Sequence, residues 1–191
     1  MKRFAIVGLA LMVIGSAPAY SATIEAKRGV IEIKGLIEFG DFDKFSAKLG
    51  AFPDSKAVSL ISPGGRVRDA VQIGRLLRLF EMGTVVPKDQ VCGSSCVFIW
   101  AAGIWRELDP GANLYMHCVF AAKDVKAAKD VKKTDLKTFK SSEQANESLV
   151  RYLALVHMPK EAIDILTNSK PADRILVQRN MNGLIKPRPT T

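Results

Sequence analysis

Two adjacent glycines constrain this chain more than any other feature. Ala57-Val58-Ser59-Leu60-Ile61 is a short apolar run, and Ser62-Pro63-Gly64-Gly65 ends it abruptly. From Val67 the spacing becomes helical: Val67, Ala70, Val71, Ile73, Gly74, Leu77, Phe80 and Met82 form a broad apolar face, with Arg68, Arg75 and Arg78 opposite and Gly83 as the expected stop. A buried strand, a tight turn and an amphipathic helix in direct succession predict a strand that returns by a crossover.

The remaining segments extend the same alternation. Val30, Ile31, Ile33, Leu36, Ile37 and Phe39 predict a strand over Gly29 to Phe39, broken at Gly35. Phe42, Phe45 and Leu49 predict a helix from Asp41 to Leu49, with Asp41 or Asp43 near its N-cap. Strand pieces are expected at Thr84-Val85-Val86 and Gln90-Val91-Cys92, around Pro87. Ser95 to Gly103 is apolar throughout, which suits a fully buried helix, and Asn113 to Val119 reads as the next strand. Helices follow over Ser142 to Val156 and from Pro159 to Leu166. Strand, helix, strand, helix, strand in this order predicts an α/β sheet. Trp100 and Trp105 are expected in the core and at its rim.

The first 22 residues read as a leader and not as part of the fold. Lys2 and Arg3 precede an apolar stretch from Phe4 to Gly15, too short to span a bilayer, and Ala17-x-Ala19 suits a signal peptidase, with cleavage after Ser21 also open. A domain over 23–186 and a polar tail over 187–191 follow. The expected compartment is the periplasm or the exterior, with no membrane span after leader removal. Loss of the leader takes the net charge from +9 to +7. The excess sits on the arginines between Arg66 and Arg78 and on the lysines between Lys123 and Lys140, where Ala-Ala-Lys-Asp-Val-Lys occurs twice in succession. No aromatic interleaving or nucleic-acid motif accompanies it, so a solvated basic face is expected, with no nucleic-acid partner.

Three cysteines, Cys92, Cys96 and Cys118, allow three pairings in an oxidising compartment. Cys92–Cys96 is the preferred pair, with Cys118 left free or paired elsewhere. A zinc site would need a second close pair, and His157 alone does not supply one, so neither metal nor cofactor is expected.

The chemistry concentrates in a few residues. Cys92-Gly93-Ser94-Ser95-Cys96 lies between a strand and a buried helix, where a serine either caps the helix or stands exposed at its head. Gly64-Gly65 could turn bare backbone N–H groups toward a ligand. His117 and His157 are the only histidines.

Together these segments resemble the Clp-type proteolytic subunits, signal peptide peptidase A and the wider crotonase-like fold. The resemblance rests on Ser62-Pro63-Gly64-Gly65 after a strand, Ser94 followed by Ala101-Ala102-Gly103, His117 after Leu114-Tyr115-Met116, and Asp173-Arg174-Ile175-Leu176 after the C-terminal helices. It is similar above all to Clp-protease-like periplasmic proteins with a Cys-x-Ser-x-Cys segment, and extends over roughly Val30 to Ile185; the Gly103–His117 loop is slightly shorter than in Clp enzymes. The fold it implies is α/β, built of repeated ββα units with a helical C-terminal part. The mechanism it implies is that of a serine hydrolase: Ser94 as nucleophile, His117 as general base, Asp173 orienting the imidazole, with Asp164 as the fallback acid, and the N–H groups of Gly65 and Ser95 as the oxyanion hole. The family's spacing selects Ser94 over Ser95. A peptide or protein substrate and a homo-oligomer are implied in the same way. The competing expectations are a catalytically silent binding or assembly module and, behind it, crotonase-type thioester chemistry, against which the leader and the serine both count.

Overall fold

The computed structural model of the chain describes residues 21–116, 147–168, 175–176 and 183–189. β1 (Thr23–Lys27) and β2 (Val30–Lys34) form a hairpin whose two linking residues, Arg28 and Gly29, both have positive φ. That geometry matches the right-handed twist of the strands it joins. β2 pairs in parallel with β3 (Ala57–Ile61), β3 with β4 (Gly83–Val86), and β4 with β6 (Arg106–Leu108), giving the order β1-β2-β3-β4-β6. A second sheet has the order β5-β7-β8: β5 (Val91–Gly93) is parallel to β7 (Asn113–Met116), which is antiparallel to β8 (Ile175–Leu176). One parallel bridge, Ser62 with Cys92, ties the two sheets together.

Five helices accompany them among the described residues: α1 (Asp41–Ala51), α2 (Val67–Leu79), α3 (Cys96–Ala101), α4 over 147–155 and α5 (Lys160–Asn168). The architecture is mixed α/β with a mostly parallel sheet, as the alternation of strand and helix patterns predicts. Ile31, Ile33, Val58 and Leu60 meet Phe45 and Leu49 of α1 and Ile73 and Leu77 of α2 in one core. α3 is buried along its whole length, which its apolar sequence requires. Trp100 is enclosed and Trp105 is nearly so. No helix among the described residues is long and apolar enough to cross a membrane.

Several boundaries differ from the sequence reading, each for a local reason. β1 was not expected, because it directly follows the leader-like stretch; the described fold begins at Ser21, whose hydroxyl donates to Asp41, and Ala22 is buried. The strand expected over Gly29 to Phe39 stops at Lys34, where Gly35 takes φ 109°. Asp41 is the first residue of α1, while Gly40 caps it at φ 90°. The Asp41 carboxylate turns back to accept from the N–H groups of Ala22 (3.2 Å) and Glu38 (2.8 Å) and from the Lys44 ammonium (2.9 Å). Asp69 does similar work one layer across, accepting from the N–H groups of Gly40 and Phe42 and pairing with Arg66. α2 ends at Leu79, and Glu81 takes the left-handed position expected of Gly83. Gly83 lies in β4 with the Trp105 indole packed where a side chain would be; a Cβ there would come within 1.8 Å of the ring.

Two contacts hold the C-terminal part against the sheet. α4 crosses α2 at Gly74, so closely that a Cβ on this glycine would meet the Tyr152 hydroxyl at 1.9 Å. That hydroxyl donates to the Phe98 carbonyl of α3 at 2.8 Å, and burial pushes its pKa up. Arg106 of β6 is wholly buried and pairs with no carboxylate among the described residues. Its guanidinium instead donates to the carbonyls of Ala101 (3.1 Å), Gly183 (2.8 Å) and His157 (3.5 Å). Burial, helped by the nearby charge of Arg78, lowers its pKa to about 10, so it remains a cation at neutral pH. One positive group thus holds the last carbonyl of α3 together with two loop carbonyls of the C-terminal part.

Candidate functional site

The site begins where β3 ends. Ser62 donates its N–H to the Val91 carbonyl and accepts from the Gly93 N–H, both at 2.9 Å, which lays the turn after β3 beside the end of β5. The buried Ser62 hydroxyl accepts from the N–H of Gly64 at 3.0 Å and closes the Ser-Pro-Gly-Gly turn from within. Gly64 at φ 103° and Gly65 at φ 136° take backbone conformations that side chains oppose.

They also leave no room for one. A Cβ on Gly64 would lie 2.6 Å from the Gly93 carbonyl oxygen, 2.6 Å from the Ser94 Cβ and 2.9 Å from the Ser95 nitrogen. A Cβ on Gly65 would lie 2.1 Å from the Ile37 carbonyl oxygen. Gly65 bridges Ile37 in parallel: the Gly64 carbonyl accepts from Ile37, and the Arg66 N–H donates to Ile37. In that pattern the N–H of Gly65 itself faces away from Ile37 and is not used by the bridge.

Ser94 stands opposite. It follows β5, has φ 52°, and donates its N–H to the Tyr115 carbonyl of β7 at 3.0 Å. A left-handed serine is costly and persists only where its surroundings fix it. Ser95, in right-handed conformation, is the N-cap of α3, and no side-chain hydrogen bond caps the helix. The cap position therefore falls on Ser95, one residue after Ser94. α3 is only six residues long, so individual N–H groups at its start matter here more than a helix dipole.

Exposure separates the two serines. Ser94 is half-buried and reachable, whereas Ser95 is completely enclosed and its hydroxyl has no partner among the described residues. Neither turn is loosely attached: Cys92 and Cys96, both fully buried, have their sulfurs at disulfide distance, 2.07 Å, with Cα atoms 5.4 Å apart. The preferred cysteine pair is thus the pair that meets, and it brackets Ser94.

Of the residues singled out in the sequence, Gly65, Cys92, Ser94, Ser95 and Cys96 come together here. His117, Cys118 and Asp173 lie outside the described residues. Met116 of β7 is paired with Ile175 of β8, and the adjacent Tyr115 accepts the Ser94 N–H. Asp164 is exposed on α5. His157 is exposed after α4 at φ 57°, and its carbonyl is held by Arg106. Among the described residues no group of three or more His, Cys, Asp or Glu side chains could hold a metal ion.

The sequence reading does not reach Arg106 or Asp69, and it places Asp41 at the start of α1 without its burial; these are the buried charges that fix the elements behind the site. Nothing in their local spacing distinguishes them from surface charges. No protein-family model matches the chain, and no curated protein matches it at a meaningful level.

Proposed function

We propose that this chain is an exported serine hydrolase of the Clp-protease/crotonase-like type, cleaving peptides or envelope proteins with Ser94 as nucleophile. The observation that carries the reading is the half-buried Ser94 at φ 52°, one residue ahead of the N-cap of α3, with Gly64 pressed against it. A serine that only ended a strand or started a helix would not need a glycine packed against its Cβ.

In this reading His117 takes the Ser94 proton as Oγ attacks the carbonyl, then returns it to the leaving group, while Asp173 holds the imidazole tautomer. The backbone N–H groups of Gly65 and Ser95 receive the oxyanion, each contributing about 3–4 kcal/mol to the transition state. Two features support these roles. The Gly65 N–H is not used by its own bridge, and β7 and β8 pair at Met116 and Ile175, beside the proposed base and acid in sequence. An extended substrate could add along the Gly65 edge by backbone hydrogen bonds. The order β-β-α at β1-β2-α1 and again at β4-β5-α3 supports the fold assignment. A periplasmic or secreted location and assembly with further copies of the chain belong to the same proposal. The disulfide-distance cysteine pair is compatible with such a location.

The test is a fluorophosphonate probe on the purified chain, comparing wild type with Ser94→Ala and Ser95→Ala. Labelling should vanish in Ser94→Ala and persist in Ser95→Ala, because the Ser95 hydroxyl is enclosed. A folded wild type that never labels would replace the enzyme by a binding or assembly module.

A further inference from the structure

Cys92 and Cys96 bracket three residues, and both ends of that bracket are rigid. Cys92 sits in the β5–β7 ladder opposite Leu114 and bridges Ser62; Cys96 is the first residue of the fully buried α3. A cross-link stabilises a fold mainly by closing a long loop in the unfolded chain, and that effect is smallest for a short one. A bond across four positions is therefore poorly placed as a global brace. It is well placed to fix what it encloses.

What it encloses is Gly93, Ser94 and Ser95. Ser94 occupies a backbone region that disfavours a side chain. Hydrogen bonds from the Gly93 N–H to Ser62 and from the Ser94 N–H to Tyr115 hold the approach to this serine. On the far side, the described hydrogen bonds that restrain the turn are Val97 N–H to the Ser94 carbonyl, 3.0 Å, and Phe98 N–H to the Ser95 carbonyl, 3.1 Å. With the thiols free, rotation about the Ser94 N–Cα bond could relieve the left-handed φ and turn both the Ser94 hydroxyl and the Ser95 N–H out of register.

We infer that the Cys92–Cys96 bond is a positioning device that sets the Ser94 turn, so that the site is assembled only when the chain folds under oxidising conditions. This rests on the reading of Ser94 as nucleophile. Both sulfurs are enclosed by the core, so the bond closes while the turn is packing and is then shielded from reductants. In the closing step the two thiols lose two electrons and two protons to a disulfide oxidant, for which glutathione disulfide serves as the probe; the products are one protein disulfide and two glutathione thiols.

The experiment uses the full chain with Cys118→Ser, which removes the competing thiol. It is refolded with glutathione disulfide or with excess dithiothreitol, beside a Cys92→Ala/Cys96→Ala variant. Three quantities are read: melting temperature, amide hydrogen exchange over residues 93–97, and the rate of fluorophosphonate labelling. In both forms lacking the bond, melting should move by only a few degrees, exchange over residues 93–97 should accelerate, and labelling should slow on the order of a hundredfold. Unchanged exchange and labelling would overturn the inference. So would a dithiothreitol-refolded chain that fails to fold, since the bond would then be a general brace. If the oxidised chain never labels while exchange still responds to the bond, the hydrolase reading fails and the positioning of the turn stands.

Discussion

Gly64 meets Ser94 at a distance that permits no side chain: a Cβ on the glycine would come within 2.6 Å of the serine's own Cβ. The Ser-Pro-Gly-Gly turn and the nucleophile turn are therefore one packed unit, although thirty residues separate them in sequence.

Gly64→Ala should damage the site out of proportion to its size. The new methyl would press on the Gly93 carbonyl and the Ser95 nitrogen, which are backbone and cannot swing away, at a φ of 103° that alanine resists. We expect a loss of about 1–3 kcal/mol in stability and a collapse of fluorophosphonate labelling. Gly50→Ala is the matched control. It is exposed in α1 with open space around it, so the variant should gain about 0.5–1 kcal/mol. Equal behaviour of the two variants in thermal melts would refute the packing argument.

Ser94→Gly should be more stable than Ser94→Ala while both are inert to the probe. Glycine occupies φ 52° freely, whereas alanine keeps the Cβ that makes the conformation costly. The expected difference is about 1 kcal/mol in denaturant melts. If the two variants melt together, Ser94 is not held in a disfavoured conformation.

What was legible in the sequence follows from how local each signal is. Ser62 to Gly65 and Cys92 to Cys96 could be read because turn chemistry, strand patterns and helix patterns lie within a few neighbouring residues, and α/β architecture followed from their alternation. Gly83 reads locally as a helix stop because the feature that requires it, the Trp105 indole, lies twenty-two residues away. The burial of Arg106, Asp41 and Asp69 is hidden for the same reason. A charge reveals its burial only through partners that the fold supplies, here the Gly183 carbonyl for Arg106 and the Gly40 N–H for Asp69. Enclosure also separates Ser95 from Ser94, which spacing alone selects only through a family resemblance.

Arg106→Met should cost more than an ordinary surface arginine. Methionine can fill much of the volume beside Trp100, but it leaves the buried Ala101 carbonyl and the part-buried Gly183 carbonyl without their donors. A buried unsatisfied group costs about 1–3 kcal/mol, so a loss of about 1–3 kcal/mol is expected from Ala101 alone, with the C-terminal segment released first. Limited proteolysis should cut the variant near residues 183–189 before the sheet unfolds. A variant as stable and as resistant as wild type would mean that those carbonyls are satisfied without Arg106.

Asp41 should govern part of the acid limb of stability. Burial alone would raise its pKa, but hydrogen bonds from the Ser21 hydroxyl, the Glu38 N–H, the Lys44 ammonium and the Ala22 N–H outweigh that effect and hold it below the ordinary value of 3.8. The unfolded chain therefore binds a proton more readily than the folded one. Stability from this group is fully present above pH 3.8 and is lost as the pH falls through the lower folded value. Asp41→Asn cannot titrate, and its amide can replace only some of the acceptor positions. It should lose about 1.5–3 kcal/mol at neutral pH and show a shallower fall in stability below pH 3.8 than wild type. Urea melts of both proteins across the acid range would decide it: parallel curves would show that the carboxylate has the same proton affinity folded and unfolded.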